Sequence, residues 1–143
     1  MNTLSINYQS AAEAVKLIKS GMSVYIQGTA SVPNVVVKAL ADHGPNLRGV
    51  KIYCTLPLGD QPAPYCREEL LDSFEVYSFF LSDCVRDWVS KGYAQMVPVF
   101  FGDLPELIRK DLVHIDAAMI NCSLPDERGY CSYGIAAEAT VAA

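Results

Sequence analysis

Polar and apolar positions in this chain switch between a helical period and a strand period, and the switch recurs along its length. Ser10 followed by Glu13 has the form of a capping box, Val15 and Ile18 fall on one helical face, and Gly21 offers a stop. Met22–Gln27 is short, partly β-branched and hydrophobic on both faces, which predicts a strand covered by helices on either side. Gly28–Val32 reads as a loop, and Pro33 pre-sets the first turn of a helix that carries Val36, Val37 and Leu40 and stops near Gly44.

The same rhythm continues. Val50–Thr55 reads as a strand, Leu56–Pro64 as a Pro/Gly-rich loop, Tyr65–Leu71 as a short helix and Phe74–Phe79 as a strand. A helix is expected from Asp83 to Lys91, closed by Gly92, then a strand at Ala94–Val99 and an acid-capped helix Leu104–Lys110 that starts from Asp103 and Glu106. Ile115–Asn121 reads as a buried strand, Leu124–Gly129 as a turn-rich loop and Tyr130–Ser132 as a brief extended return. Ala136–Ala143 consists of good helix formers without Gly, Pro or a cap, so a helix beginning near Ile135 is expected to be cut short. The predicted fold is α/β, one open, mostly parallel, doubly wound sheet with helices on both faces, incomplete at its C-terminus. Its functional loops should lie outside the C-terminal ends of the strands.

Composition narrows the class. A chain of 143 residues, 51% hydrophobic and 19% charged, is globular, and a domain of that size buries about two-thirds of its unfolded surface. The net charge of −5 comes without any run of Lys or Arg, which argues against nucleic acid as a partner. The apolar runs Met96–Phe101 and Ile115–Ile120 fall far short of the roughly 20 residues of a membrane helix, and Met1–Tyr8 lacks a signal-peptide layout. A cytoplasmic protein with no membrane association is expected. The five cysteines form no C-x-x-C pair, so reduced, mostly buried thiols are expected and no metal site.

The candidate chemistry is sparse. Loop Gly28–Pro33 joins a strand to a helix whose free N–H groups offer a place for an anion or a carbonyl oxygen, yet it lacks the further glycines of a dinucleotide fingerprint, and G-K-[ST] is absent from the chain. His43 precedes the Gly44-Pro45 helix stop, where an imidazole complements the helix dipole, and His114 lies in a connection; neither has the setting of a nucleophile's base. The densest polar cluster is Asn121–Gly134. There Pro125 fixes one dihedral, Asp126 can bond its own following backbone and Gly129 can take a positive φ, so the segment serves as a rigid chain reversal or as a substrate contact.

Ser123, Pro125, Asp126, Gly129, Tyr130, Ser132 and Gly134 resemble the S-P-P-D-x-x-G-[FY]-x-S-x-G stretch of the acetyl-CoA hydrolase/transferase family, with Leu124 in place of the second Pro. Val85-Arg86 with Gly92, Tyr93–Pro98 and Asp103–Leu107 are similar to upstream blocks of that family in the same order. The resemblance runs from the first helix onward. It implies that residues 1–143 form part of the first of two facing α/β domains in an enzyme that moves CoA between short-chain carboxylic acids such as acetate, butyrate or 4-hydroxybutyrate. A glutamate of the second, absent domain is implied as the nucleophile, so this segment by itself is expected to be inactive. Glu13 and Glu106 are explained by capping, Glu68, Glu69, Glu127 and Glu138 match no catalytic motif of the family, and no catalytic residue is assigned here.

Loops Gly28–Pro33, Leu56–Pro62 and Ser123–Gly129 are the candidates for the acyl side of the cleft. The substrate-binding candidates are Gly28, Thr29, Ala30, Ser31, Ser123, Pro125, Asp126 and Gly129. Thr29, Ala30 and Ser31 stand where some relatives carry a glycine-richer loop. No bound cofactor is expected; coenzyme A is a co-substrate of the full-length enzyme, and a homo-oligomer is expected. Acetyl-CoA hydrolase, a sugar-phosphate isomerase-like domain and a non-catalytic binding or assembly module stay open as alternatives.

Overall fold

The computed structural model describes residues 8–59 and 61–143. Five strands, β1 (Ser23–Ile26), β2 (Val50–Cys54), β3 (Phe74–Ser78), β4 (Ala94–Met96) and β5 (Ala117–Met119), form one parallel sheet in the order β4-β3-β2-β1-β5. The helices are α1 (Ala11–Ala14), α2 (Asn34–His43), α3 (Asp83–Ser90) and α4 (Leu104–Arg109). Helices lie on both faces, as the two-sided hydrophobicity of Met22–Gln27 requires.

One face carries the larger core. Val24, Ile26, Val50, Ile52 and Val76 point into it and meet Val15, Val37, Leu40, Val85 and Trp88. The other face is covered by α4 and the C-terminal turns, through Tyr25, Phe79, Leu104, Ile108 and Ala139. Register places Tyr25, Tyr53 and Tyr77 in one row on this second face, and the Tyr53 and Tyr77 rings stack with centroids 5.0 Å apart.

The local elements differ from the sequence expectations where tertiary contacts compete with periodicity. Ser10 Oγ accepts from the Glu13 N–H, but Glu13 turns its carboxylate to Lys16, and α1 tightens into a 3₁₀ turn over Val15–Leu17. Pro33 sits at the N-cap of α2, one residue outside its first turn. The helix expected over Tyr65–Leu71 is only a 3₁₀ turn, Glu68–Leu70; Arg67 is extended, and Tyr65 and Cys66 are both buried before it. Strand β4 ends earlier than Ala94–Val99, because Val97 donates to Ser78 O and Pro98 has no N–H to continue.

Asp103 does not cap α4 with its side chain. It closes a 3₁₀ turn, Phe101–Asp103, with helical backbone angles of its own, and Glu106 pairs with Arg109 and Lys110. The strand expected at Ile115–Asn121 is shorter and less buried, because β5 is the edge strand beside β1 and Ile120 is left partly exposed. Ala136–Ala143 is not helical. Successive turns run through it, and Glu138 has a φ of 44°, which a right-handed helix excludes.

Candidate functional site

The strand order reverses between β1 and β5: β1 leads outward through β2, β3 and β4, and the chain then returns to β1's other side. In open α/β sheets the connections that leave such neighbouring strands diverge, and a crevice opens beyond their carboxyl ends. Loop Gly28–Pro33 leaves β1 there, and Asn121–Gly134 leaves β5.

A cleft of about 250 Å³ lies between them, lined among others by Ala30, Ser31, Asn121, Ser123, Gly134 and Ile135. A neighbouring cleft of about 350 Å³ follows the start of α2, with Pro33, Val35 and Ile120 in its wall and Asn121 shared with the first. Ala30, Ser31 and Ser123, predicted from two distant parts of the chain, therefore meet at one cleft. Pro125, Asp126 and Gly129 do not reach it.

Those three residues build the far turn of a hairpin. Ser123 N–H donates to Ser132 O at 2.8 Å, and Ser132 N–H donates to Ser123 Oγ at 2.9 Å. Asp126 Oδ1 accepts from the N–H groups of Arg128 and Tyr130, while Gly129 turns the chain with φ at 85°. The reversal expected from this segment is present, and it presents Ser123 at the cleft while Asp126 faces its own backbone.

Loop Gly28–Pro33 has less free backbone than its position at a helix start implies. Gly28 N–H donates to Glu138 Oε2 at 3.1 Å, Thr29 N–H to Leu56 O at 2.7 Å and Ser31 N–H to Gly28 O at 3.1 Å. These donors are engaged inside the fold, so the loop meets the cleft through Ala30 and Ser31. Of the third candidate loop, Leu56 and Pro57 brace the first through the Thr29 contacts; Asp60 lies outside the described residues. Gln61 and Pro62 instead border a separate cleft of about 400 Å³ against α3, among Asp83, Asp87 and Lys91.

Two residues that sequence reasoning passed over hold this arrangement. Gln27 is fully buried; its Nε2 donates to Ala136 O at 2.5 Å and its Oε1 accepts from Asn121 N–H at 2.7 Å. It ties the end of β1 to both sides of the 121–136 segment. Its only signal was a polar side chain closing an apolar strand. Glu138 is the second, and its Oε2 also accepts from Thr55 Oγ1 at 2.5 Å and from the Tyr25 hydroxyl at 3.4 Å. Burial, and then the Glu138 charge, push the Tyr25 phenol up to about 12. Glu138 gave no sequence signal, since it sits in an alanine-rich run of good helix formers.

The histidines stay outside the site. His43 ends α2, and Nδ1 lies 3.3 Å from Asn46 Nδ2. His114 lies on the surface between Asp111 and Asp116, whose hydrogen bonds and charges raise its pKa. Cys54, Cys66 and Cys84 are buried, Cys122 and Cys131 exposed, and all five thiols are free. Among the described residues no group of three or more His, Cys, Asp or Glu side chains is placed to hold a metal, and no helix is long and apolar enough to cross a membrane.

Residues 6–143 match the model of the acetyl-CoA hydrolase/transferase N-terminal domain. The chain belongs to that family. It is 31% identical over 133 residues to the succinyl-CoA:acetate/propanoyl-CoA:succinate CoA transferase of Fasciola hepatica, covering 92% of this chain and 27% of the relative. With the 4-hydroxybutyrate coenzyme A transferase of Clostridium kluyveri it shares 31% identity, over 92% of this chain and 30% of the relative. Among solved structures, RipA from Yersinia pestis superposes with a TM-score of 0.75 at 26% identity, over 89% of this chain and 31% of that one. The 4-hydroxybutyrate CoA-transferase of Porphyromonas gingivalis gives 0.74 at 26%, over 94% and 29%. The acetyl-CoA hydrolase/transferase fold of this chain thus spans less than a third of the length of these relatives.

Proposed function

We propose that this chain is the N-terminal portion of a cytoplasmic, homo-oligomeric CoA-transferase that moves CoA between short-chain carboxylic acids. The observation that carries the reading is the cleft at the β1/β5 reversal, where Ala30 and Ser31 face Ser123 in a member of this family. Such a cleft forms one wall for an acyl group or a free carboxylate, and a second α/β domain outside these residues supplies the opposite wall and the nucleophile.

The nucleophile in this reading is a glutamate of that second domain. Its carboxylate attacks the thioester carbonyl, the CoA thiolate leaves, and an acyl-glutamyl anhydride forms. The thiolate then attacks the glutamyl carbonyl and expels the first carboxylate, leaving a glutamyl-CoA thioester. A second carboxylate reverses the sequence. A carboxylate suits the task because it is both a nucleophile and, once acylated, part of a leaving group of matched reactivity.

Intact mass spectrometry after incubation with butyryl-CoA tests the proposal. The intact protein should gain the mass of CoA less one water and lose it with hydroxylamine, and residues 1–143 alone should gain nothing. An adduct on residues 1–143 would overturn the placement of the nucleophile elsewhere.

A further inference from the structure

Glu138 joins three parts of the molecule that are remote in sequence. One carboxylate oxygen, Oε2, takes the N–H of Gly28 from the loop after β1, the hydroxyl of Thr55 at the end of β2 and the hydroxyl of Tyr25 inside β1. The other oxygen, Oε1, is buried and has no hydrogen-bond partner among the described residues.

The backbone on both sides of this contact is strained. Thr29, Asp111 and Glu138 are the non-glycine residues with positive φ among the described residues; Thr29, at 48°, directly follows Gly28, whose N–H donates to Glu138, itself at 44°. Left-handed backbone at such residues persists only where the surroundings over-determine it, and it clusters where a structure holds a loop in a required shape. The loop so held is the one that presents Ala30 and Ser31 to the cleft, while Gly134 and Ile135, four and three residues before Glu138, line the opposite side. The Glu138 carboxylate therefore joins the two walls directly, beside the tie that Gln27 makes from β1 to Asn121 and Ala136.

We propose that Glu138 is a positioning residue for the carboxylate or acyl substrate: it fixes loop Gly28–Val32 against the 134–138 segment and so fixes the width of the cleft. This role rests on the transferase reading of the same cleft. Glu138 acts through the loop and takes no part in bond making. Displacing a substrate wall weakens substrate binding more than the chemical step, which a nucleophile outside these residues performs.

The test is steady-state kinetics of the intact protein with butyryl-CoA and acetate, comparing wild type with Glu138→Gln, Thr55→Val and the double variant. Glu138→Gln keeps shape and removes the charge; Thr55→Val keeps shape and removes one donor. Each single variant should raise KM for the carboxylate by about tenfold or more with kcat changed less than about threefold, and the double variant should add little to either. Lower kcat at unchanged KM, or only a lower Tm, would assign Glu138 to fold stability and overturn the proposal. Absence of CoA transfer by the wild-type protein would defeat the transferase reading and this role with it. Transfer by wild type, with both variants matching it in KM, would defeat the positioning role alone.

Discussion

A Cβ placed on Gly28 would lie 2.1 Å from Thr55 Oγ1 and 2.8 Å from the Leu56 backbone nitrogen. The loop after β1 and the end of β2 are therefore in contact backbone to side chain, and this closeness lets both reach Glu138. The Thr55 hydroxyl cannot move away without leaving the carboxylate, and the Leu56 nitrogen is main chain. Gly28→Ala should destabilise the fold by about 1–3 kcal/mol, the usual range for overpacking a filled site. Urea unfolding measures it, and an unchanged midpoint would mean that the two loops are not held in this contact.

Tyr25 offers a pH readout of the same cluster. Its phenol is raised from 10.0 to about 12, by burial first and by the Glu138 charge second. A folded-state pKa above the unfolded value means that the fold favours the protonated form. The associated stability is fully present below pH 10.0 and is lost as pH rises through about 12. Tyr25→Phe has no such group, so wild-type stability should fall more steeply than that of Tyr25→Phe across this window. Parallel profiles in denaturant titrations at each pH would refute the assignment.

The five thiols should separate by burial. Cys54 and Cys66 are enclosed, and desolvation raises both thiols, which suppresses the reactive thiolate; Cys84 is enclosed as well. Cys122 and Cys131 stand exposed on the hairpin. A thiol reagent at neutral pH should therefore add to Cys122 and Cys131 in the native protein, and to Cys54, Cys66 and Cys84 only after unfolding. Peptide mapping reads the result, and rapid native labelling of any of the latter three would contradict the packing of α3 on the sheet.

Short-range pattern made much of this molecule legible. The β-branched and apolar runs at Met22–Gln27, Val50–Thr55 and Phe74–Phe79 became β1, β2 and β3, because a strand buried on both faces leaves its mark residue by residue. Asp83–Lys91 became α3, and Pro125, Asp126 and Gly129 formed the turn their chemistry implies. The family resemblance rested on the same hairpin and agrees with the match over residues 6–143.

Tertiary structure decided the rest. The helix read over Ala136–Ala143 followed from residue preferences that differ by only a few tenths of a kcal/mol each. A left-handed backbone at Glu138 costs about 1–2 kcal/mol, and the Thr55 hydroxyl and Gly28 N–H held by its carboxylate, at about 1.5–3 kcal/mol for each hydrogen bond to a charged group, are large enough to offset it. Those donors lie 83 and 110 residues away in sequence. The sequence by itself determined strands β1 to β3, the turn and the family. Which loops share the cleft, and the part Glu138 plays there, follow from β5 pairing beside β1, a contact between distant segments that no local pattern encodes.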